Sequence, residues 1–187
     1  GVALMRHALK RFFNLFELKA DWYIMSGDPR VFEITKKKFH NILQGVYSEG
    51  YELTDEDIEV YENWIKENYE RLKSVIKSND VIIIDDPQPS GLMSFIKKDF
   101  PDKKIIYRSH IHIDTSLVND KQTVNSHTWE YLYGNIEYCD IFVSHPVEDF
   151  VPDNVDKNKV VYMPATTDPF DGLNKDMKKN DEKYYLD

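Results

Sequence analysis

The stretch Val81-Ile82-Ile83-Ile84-Asp85-Asp86-Pro87-Gln88-Pro89-Ser90-Gly91 decides the fold class. Its four consecutive aliphatic residues lack the in/out alternation of a half-exposed strand, which is the pattern of a strand covered on both faces in a parallel sheet. Two acids, two prolines and a glycine then end the strand, and a helix is expected over residues 90–98. The same alternation recurs downstream: a strand over 104–110, a helix over 122–138, a strand over 141–145, a turn of helix, and a strand over 160–163. Such alternation builds an α/β fold, a parallel sheet with helices on both faces. Right-handed crossovers bring the carboxyl ends of the strands to one rim, where ligands bind.

Upstream, Met5, Ala8, Leu9, Phe12, Phe13 and Phe16 recur at three- and four-residue steps and mark an amphipathic helix. Residues 21–26 read as a short strand. Asp28 then caps a helix that Pro29 opens and Gly45 stops. The sequence Thr54-Asp55-Glu56-Asp57 starts a third helix, ending near Asn79, with Tyr61, Trp64, Ile65, Tyr69, Leu72 and Ile76 along its packing face. From Asp171 onward the residues are polar and charged. The expected organisation is one domain over 1–170, incomplete at its start, followed by a connector over 171–187.

A chain of 187 residues is long enough for one core and too short for two ordinary domains. Its net charge of −9 withholds the positive field that phosphate backbones or anionic lipid require, so neither nucleic acid nor membrane is an expected partner. The single cysteine, Cys139, excludes an internal disulfide and favours a reducing compartment, with the cytoplasm as the expected location. No phosphate loop, complete dinucleotide fingerprint or serine nucleophile elbow is present.

Chemistry concentrates at three strand ends. After the first, Asp86 and Gln88 sit on a turn stiffened by Pro87 and Pro89, a carboxylate and an amide suited to sugar hydroxyls. The competing reading is that Asp85 or Asp86 only caps the next helix. After the second strand, Arg108, His110 and His112 alternate onto one side, with Asp114 two residues on. His110, His112 and Asp114 are metal-ligand types, but the fixed cation of Arg108 opposes a metal, and a polar cluster that hydrogen-bonds a substrate is the preferred reading. His145 stands at the third strand end. On the second helix His40, Asn41 and Gln44 lie within a turn of one another, where a ligand contact and a plain helix terminus are both open readings. Asp85 and Asp86 after an aliphatic strand also admit a different class, a receiver-like magnesium-binding module, although Arg108 occupies the place where its phosphoacceptor would stand.

Taken in order, the segments 1–9, 34–41 with Gln44-Gly45, 85–89, 108–111, 144–146 and Met163-Pro164-Ala165-Thr166-Thr167-Asp168-Pro169 resemble the amino-terminal domain of fungal-type trehalose phosphorylases, with archaeal and bacterial trehalose-synthesising glycosyltransferases as relatives. The resemblance implies half of a GT-B enzyme, in which two Rossmann-like domains face each other across a cleft. It implies retaining transfer at the glucose anomeric carbon, without a metal or other cofactor. Trehalose and phosphate would exchange with glucose and α-glucose 1-phosphate, or a nucleotide-glucose would serve as donor. Gly1 would be what remains of a Gly-Gly turn after a first strand, its backbone close to the donor glucose or phosphate. Arg108 and His110 would be catalytic, and Gly1, His40, Asn41, Gln44, Asp86, Gln88, Asp114 and His145 would bind substrate. The expected partners are these small molecules, a carboxyl-terminal GT-B domain beyond residue 187, and a second copy in a homodimer. The chain alone is expected to be inactive.

Overall fold

The computed structural model describes residues 2–164, which fall into two compact units, 2–24 and Met25–Pro164. Gly1, the end of the Met163–Pro169 motif and the expected connector lie outside the described residues. In the first unit, helix α1 (Val2–Leu15) is closed by Glu17, whose φ of 55° places it in the left-handed region, and by the Leu18 N–H donating to the Phe13 carbonyl. Lys10 pairs with Asp21 at 2.7 Å, and His7 meets the Trp22 ring edge-on at 5.3 Å.

The second unit carries the sheet. Its strands β1 (Val81–Asp85), β2 (Lys104–Arg108), β3 (Ile141–Ser144) and β4 (Val160–Tyr162) are all parallel and lie in sequence order. Asp85 stands in register with Arg108, and Arg108 with Val143, so the first three carboxyl ends form one line. Between the strands lie α5 (Leu92–Asp99), α6 (Thr115–Val118) and α7 (Val124–Ile136). Ile84, Ile105, Tyr107 and Phe142 project to one side of the sheet and are buried with Tyr61, Ile65, Met93, Ile96, Trp129 and Leu132 from the helices. On the other side Val81 and Ile83 are 51% and 54% exposed.

The long helix α4 (Asp55–Ser78) starts on the expected capping box: Asp57 N–H donates to Thr54 Oγ1, and Thr54 N–H donates back to Asp57 Oδ2 at 2.8 Å. Residues 21–26 do not form a strand. The backbone of Ser26 is satisfied instead by side chains of α4, its N–H donating to Asn68 Oδ1 and its carbonyl accepting from Trp64 Nε1, both at 2.8 Å.

The second helix is a composite. Asp28 caps it by accepting from the Arg30 N–H, Pro29 opens α2 (Pro29–Phe32), and the chain then widens into a π-helical stretch, Glu33–His40, before closing as α3 (Asn41–Leu43). The π stretch sends Phe39 into the core, Lys38 to the Asp57 carboxylate and His40 toward the ends of β1 and β2. Gly45 stops the helix at φ 70°. Its N–H donates to the Ile42 carbonyl and the Val46 N–H to the Asn41 carbonyl, the two bonds of a Schellman motif.

Candidate active site

At the end of β1 the ladder continues one residue further, as the Asp86 N–H donates to the Arg108 carbonyl at 2.8 Å. Asp86 then turns into the left-handed region, with φ 74°, a conformation that Asp tolerates better than most side chains because its short polar group bonds locally. The turn aims a carboxylate that is only 6% exposed between two histidines. Oδ1 accepts from the His110 backbone N–H at 3.3 Å, and Oδ2 lies 3.2 Å from His40 Nε2.

His40 also meets the amide of Gln88, with 2.6 Å between His40 Nε2 and Gln88 Nε2. The amide nitrogen donates when the ring nitrogen is bare, and the amide is turned over when Nε2 carries the proton that Asp86 attracts. Beside this group, His110 Nε2 donates to Asp85 Oδ1 at 2.7 Å, and His145 Nε2 donates to the His110 carbonyl at 3.2 Å. The ends of β1, β2 and β3 and the end of the π stretch are thereby linked through three imidazoles, two carboxylates and one amide.

Neither Asp85 nor Asp86 caps α5. Its N-cap is Gly91, which offers no side chain, and the Gly91 N–H donates instead to the hydroxyl of Tyr61 at 3.0 Å. The same hydroxyl donates to the Gln88 carbonyl at 2.9 Å. Burial pushes the Tyr61 phenol up to about 12, so the proton it donates is present throughout the neutral range. Beneath Asp86, burial and then the Asp86 charge also hold the Tyr107 phenol well above its ordinary value.

The other sequence candidates are placed differently. Arg108 is buried and donates from Nη1 to the Met163 carbonyl at 3.2 Å, while the Met163 N–H donates to Ser144, which fastens the segment after β4 across the strand ends. Asp114 caps α6. Its hydrogen bonds from Ser116 hold its carboxyl below the usual range, and its own N–H donates to the Leu43 carbonyl. His112 packs against the Phe150 ring at 4.4 Å. His110 thus turns to Asp85 and away from a shared site with His112 and Asp114, and among the described residues no group of three or more His, Cys, Asp or Glu side chains gathers as around a metal ion. Asn41 and Gln44 are half-buried at the Schellman turn and make no side-chain hydrogen bond among the described residues. An open groove of about 670 Å³ is lined by His112, Asp114, Thr115, Asn119 and Asp149.

Five of the sequence candidates, His40, Asp86, Gln88, His110 and His145, therefore come together within hydrogen-bond reach on a rim built by adjacent parallel strands. A family described as the N-terminal domain of trehalose synthase matches residues 1–152. The chain belongs to this family. The whole chain aligns, at 43% identity over 191 positions, with a trehalose phosphorylase of Grifola frondosa, of which it covers 26%. It aligns at 42% identity with a trehalose phosphorylase of Pleurotus pulmonarius, again covering 26%. A trehalose synthase of Pyrococcus horikoshii is 32% identical over 97% of the chain, which covers 40% of that relative. The chain spans about a quarter of the length of the trehalose phosphorylases it matches.

Two residues, Asp85 and Tyr61, join the site although the sequence points to other roles for them. The sequence offers Asp85 as a helix cap or a magnesium ligand, whereas its position at the end of a strand beside the one that ends in Arg108 lets it reach His110. The spacing of Tyr61 along α4 reads as packing alone. The available signal was its hydroxyl, since a buried tyrosine keeps a polar tip that requires a partner.

Proposed function

We propose that the chain is the amino-terminal, acceptor-side domain, over residues 1–170, of a retaining hexosyltransferase that acts on trehalose, exchanging trehalose and phosphate for glucose and α-glucose 1-phosphate. In that reaction the bond from the anomeric carbon to the bridging oxygen breaks, and a bond from the same carbon to a phosphate oxygen forms. The observation that carries this reading is the cluster of His40, Gln88 and His110 on the strand-end rim of a domain 43% identical to a trehalose phosphorylase. Imidazoles and amides both donate and accept, as sugar hydroxyls require. Asp85 and Asp86 orient the two histidines, Arg108 supplies a fixed positive charge beside the oxygen on which charge develops, and His110 lines the same side of the sugar.

The phosphate and most of the donor sugar are held by a second domain across the cleft, and the alignment of the two halves supplies the rate. Within the first half, Asn41, Gln44, Asp114 and His145 complete the sugar-facing rim. The expected setting is the cytoplasm. No helix among the described residues is long and apolar enough to cross a membrane. A second reading, transfer from a nucleotide-glucose to glucose, draws support from the relative of Pyrococcus horikoshii, which is named a trehalose synthase.

The test is Gln88→Ala in the full-length protein that carries this chain. The KM for trehalose is expected to rise about tenfold while the KM for phosphate stays within about twofold. Equal effects on both substrates, or none, would remove the rim from the sugar site.

A further inference from the structure

Tyr61 lies in the middle of the unit, with its ring edge-on to Phe39 at 5.0 Å and near Trp64 and Tyr131 at 6.1 and 6.2 Å. A phenylalanine would fill the same space. What it would not supply is the hydroxyl, which donates to the Gln88 carbonyl at 2.9 Å, accepts from the Gly91 N–H at 3.0 Å and lies 3.4 Å from Ser90 Oγ.

The turn it reaches is poor in bonds of its own, because Pro87 and Pro89 have no N–H to give. Its main-chain bonds run from Ser90 to Pro87, from Leu92 to Pro89 and from Met93 to Ser90. None of them uses the Gln88 carbonyl or the Gly91 N–H, so one phenol closes both ends. The helix that carries the phenol also sets the height of the turn, because a Cβ added at Gly91 would stand 2.9 Å from Ile65 Cγ1, one turn along α4.

We infer that Tyr61 is a positioning residue for sugar recognition, acting through Gln88. The inference rests on the proposed sugar-transfer function. Its phenol fixes the Pro87-Gln88-Pro89 peptides at the height where the Gln88 amide meets His40. Without the hydroxyl a partly buried carbonyl and a buried N–H lose their partner, and the relief open to them is rotation of the turn toward water. That rotation withdraws the amide from His40 while leaving the core packed.

The experiment is a double-mutant cycle in the full-length protein, with Tyr61→Phe, Gln88→Ala and the pair assayed by steady-state kinetics in trehalose and in phosphate. Tyr61→Phe is expected to raise the KM for trehalose about five- to tenfold and to leave the KM for phosphate within about twofold. In the Gln88→Ala background the same change is expected to add nothing to the KM for trehalose while still lowering Tm, a separation that a purely structural role would not produce. A Tyr61→Phe enzyme with unchanged sugar KM, or effects of the two changes that multiply, would overturn the inference alone. A Gln88→Ala enzyme with unchanged sugar KM would overturn the rim as a sugar site, and the role of Tyr61 with it.

Discussion

His110 Nε2 donates to Asp85 Oδ1 at 2.7 Å, joining the carboxyl ends of two adjacent parallel strands by a single bond between an imidazole and a carboxylate. The bond fixes the plane of the ring and commits the Nε2 proton to the carboxylate. Asp85→Asn keeps the shape and removes the charge. In the full-length protein kcat/KM for trehalose is expected to fall about tenfold or more, the worth of one charged hydrogen bond. Steady-state kinetics beside a thermal melt would check it, with Tm expected to move by only a few degrees.

Asp86 combines a strained backbone with a buried carboxylate, and two substitutions separate them. Asn tolerates the left-handed region, so Asp86→Asn should fold normally and lose sugar affinity through weaker orientation of His40 and His110. Asp86→Val adds the backbone penalty of a β-branched residue at φ 74° and should cost about 1–2 kcal/mol more in stability than Asp86→Asn. Urea unfolding of the two variants measures the difference.

The strands were legible because their aliphatic runs leave no other period to read, and the start of α4 because Thr54 and Asp57 stand three apart. The π stretch was not legible. Residues 33–40 carry the charges and apolar positions of an ordinary helix, and the wider winding follows from tertiary demands on Lys38, Phe39 and His40 together. Residues 21–26 were misread because local β propensity cannot register that Asn68 and Trp64, more than 35 positions away, satisfy the Ser26 backbone. The role of Tyr61 was hidden for the same reason. Its partners Gln88 and Gly91 lie about 30 residues on, across a strand and a turn.

Gly45→Ala should destabilise the fold. The position has φ 70°, and the added Cβ would stand 2.9 Å from Leu117 Cδ1 and 3.4 Å from Asp114 Oδ2. The left-handed conformation alone costs a non-glycine residue about 1–2 kcal/mol, and the close methyl contact adds to it. Chemical denaturation should show the loss as a lower midpoint at unchanged slope.

The acid limb of stability should depend on Asp140. Burial alone would raise its carboxyl, but hydrogen bonds from the Ile105 N–H and from Lys97 and Lys104 outweigh burial and carry it down to about 2. A carboxyl depressed in the folded state stabilises above its ordinary value and loses that contribution as the pH falls through the folded one. Asp140→Asn should therefore cost about 1 kcal/mol, allowing for solvent screening, at pH 5 and above. The gap between variant and parent should close as the pH is lowered from about 4 toward 2, which unfolding curves at a series of pH values would reveal.

The central claim is that the rim of this domain serves phosphorolysis of trehalose, and phosphorus NMR of the full-length protein with trehalose and inorganic phosphate tests it most directly. The account predicts a new resonance of α-glucose 1-phosphate growing in step with free glucose, and its reversal when those two products are supplied instead. No α-glucose 1-phosphate from an enzyme that forms trehalose from a nucleotide-glucose and glucose would contradict the phosphorolytic account in favour of the synthase reading. An enzyme inert toward both substrate pairs would contradict the assignment to trehalose transfer altogether.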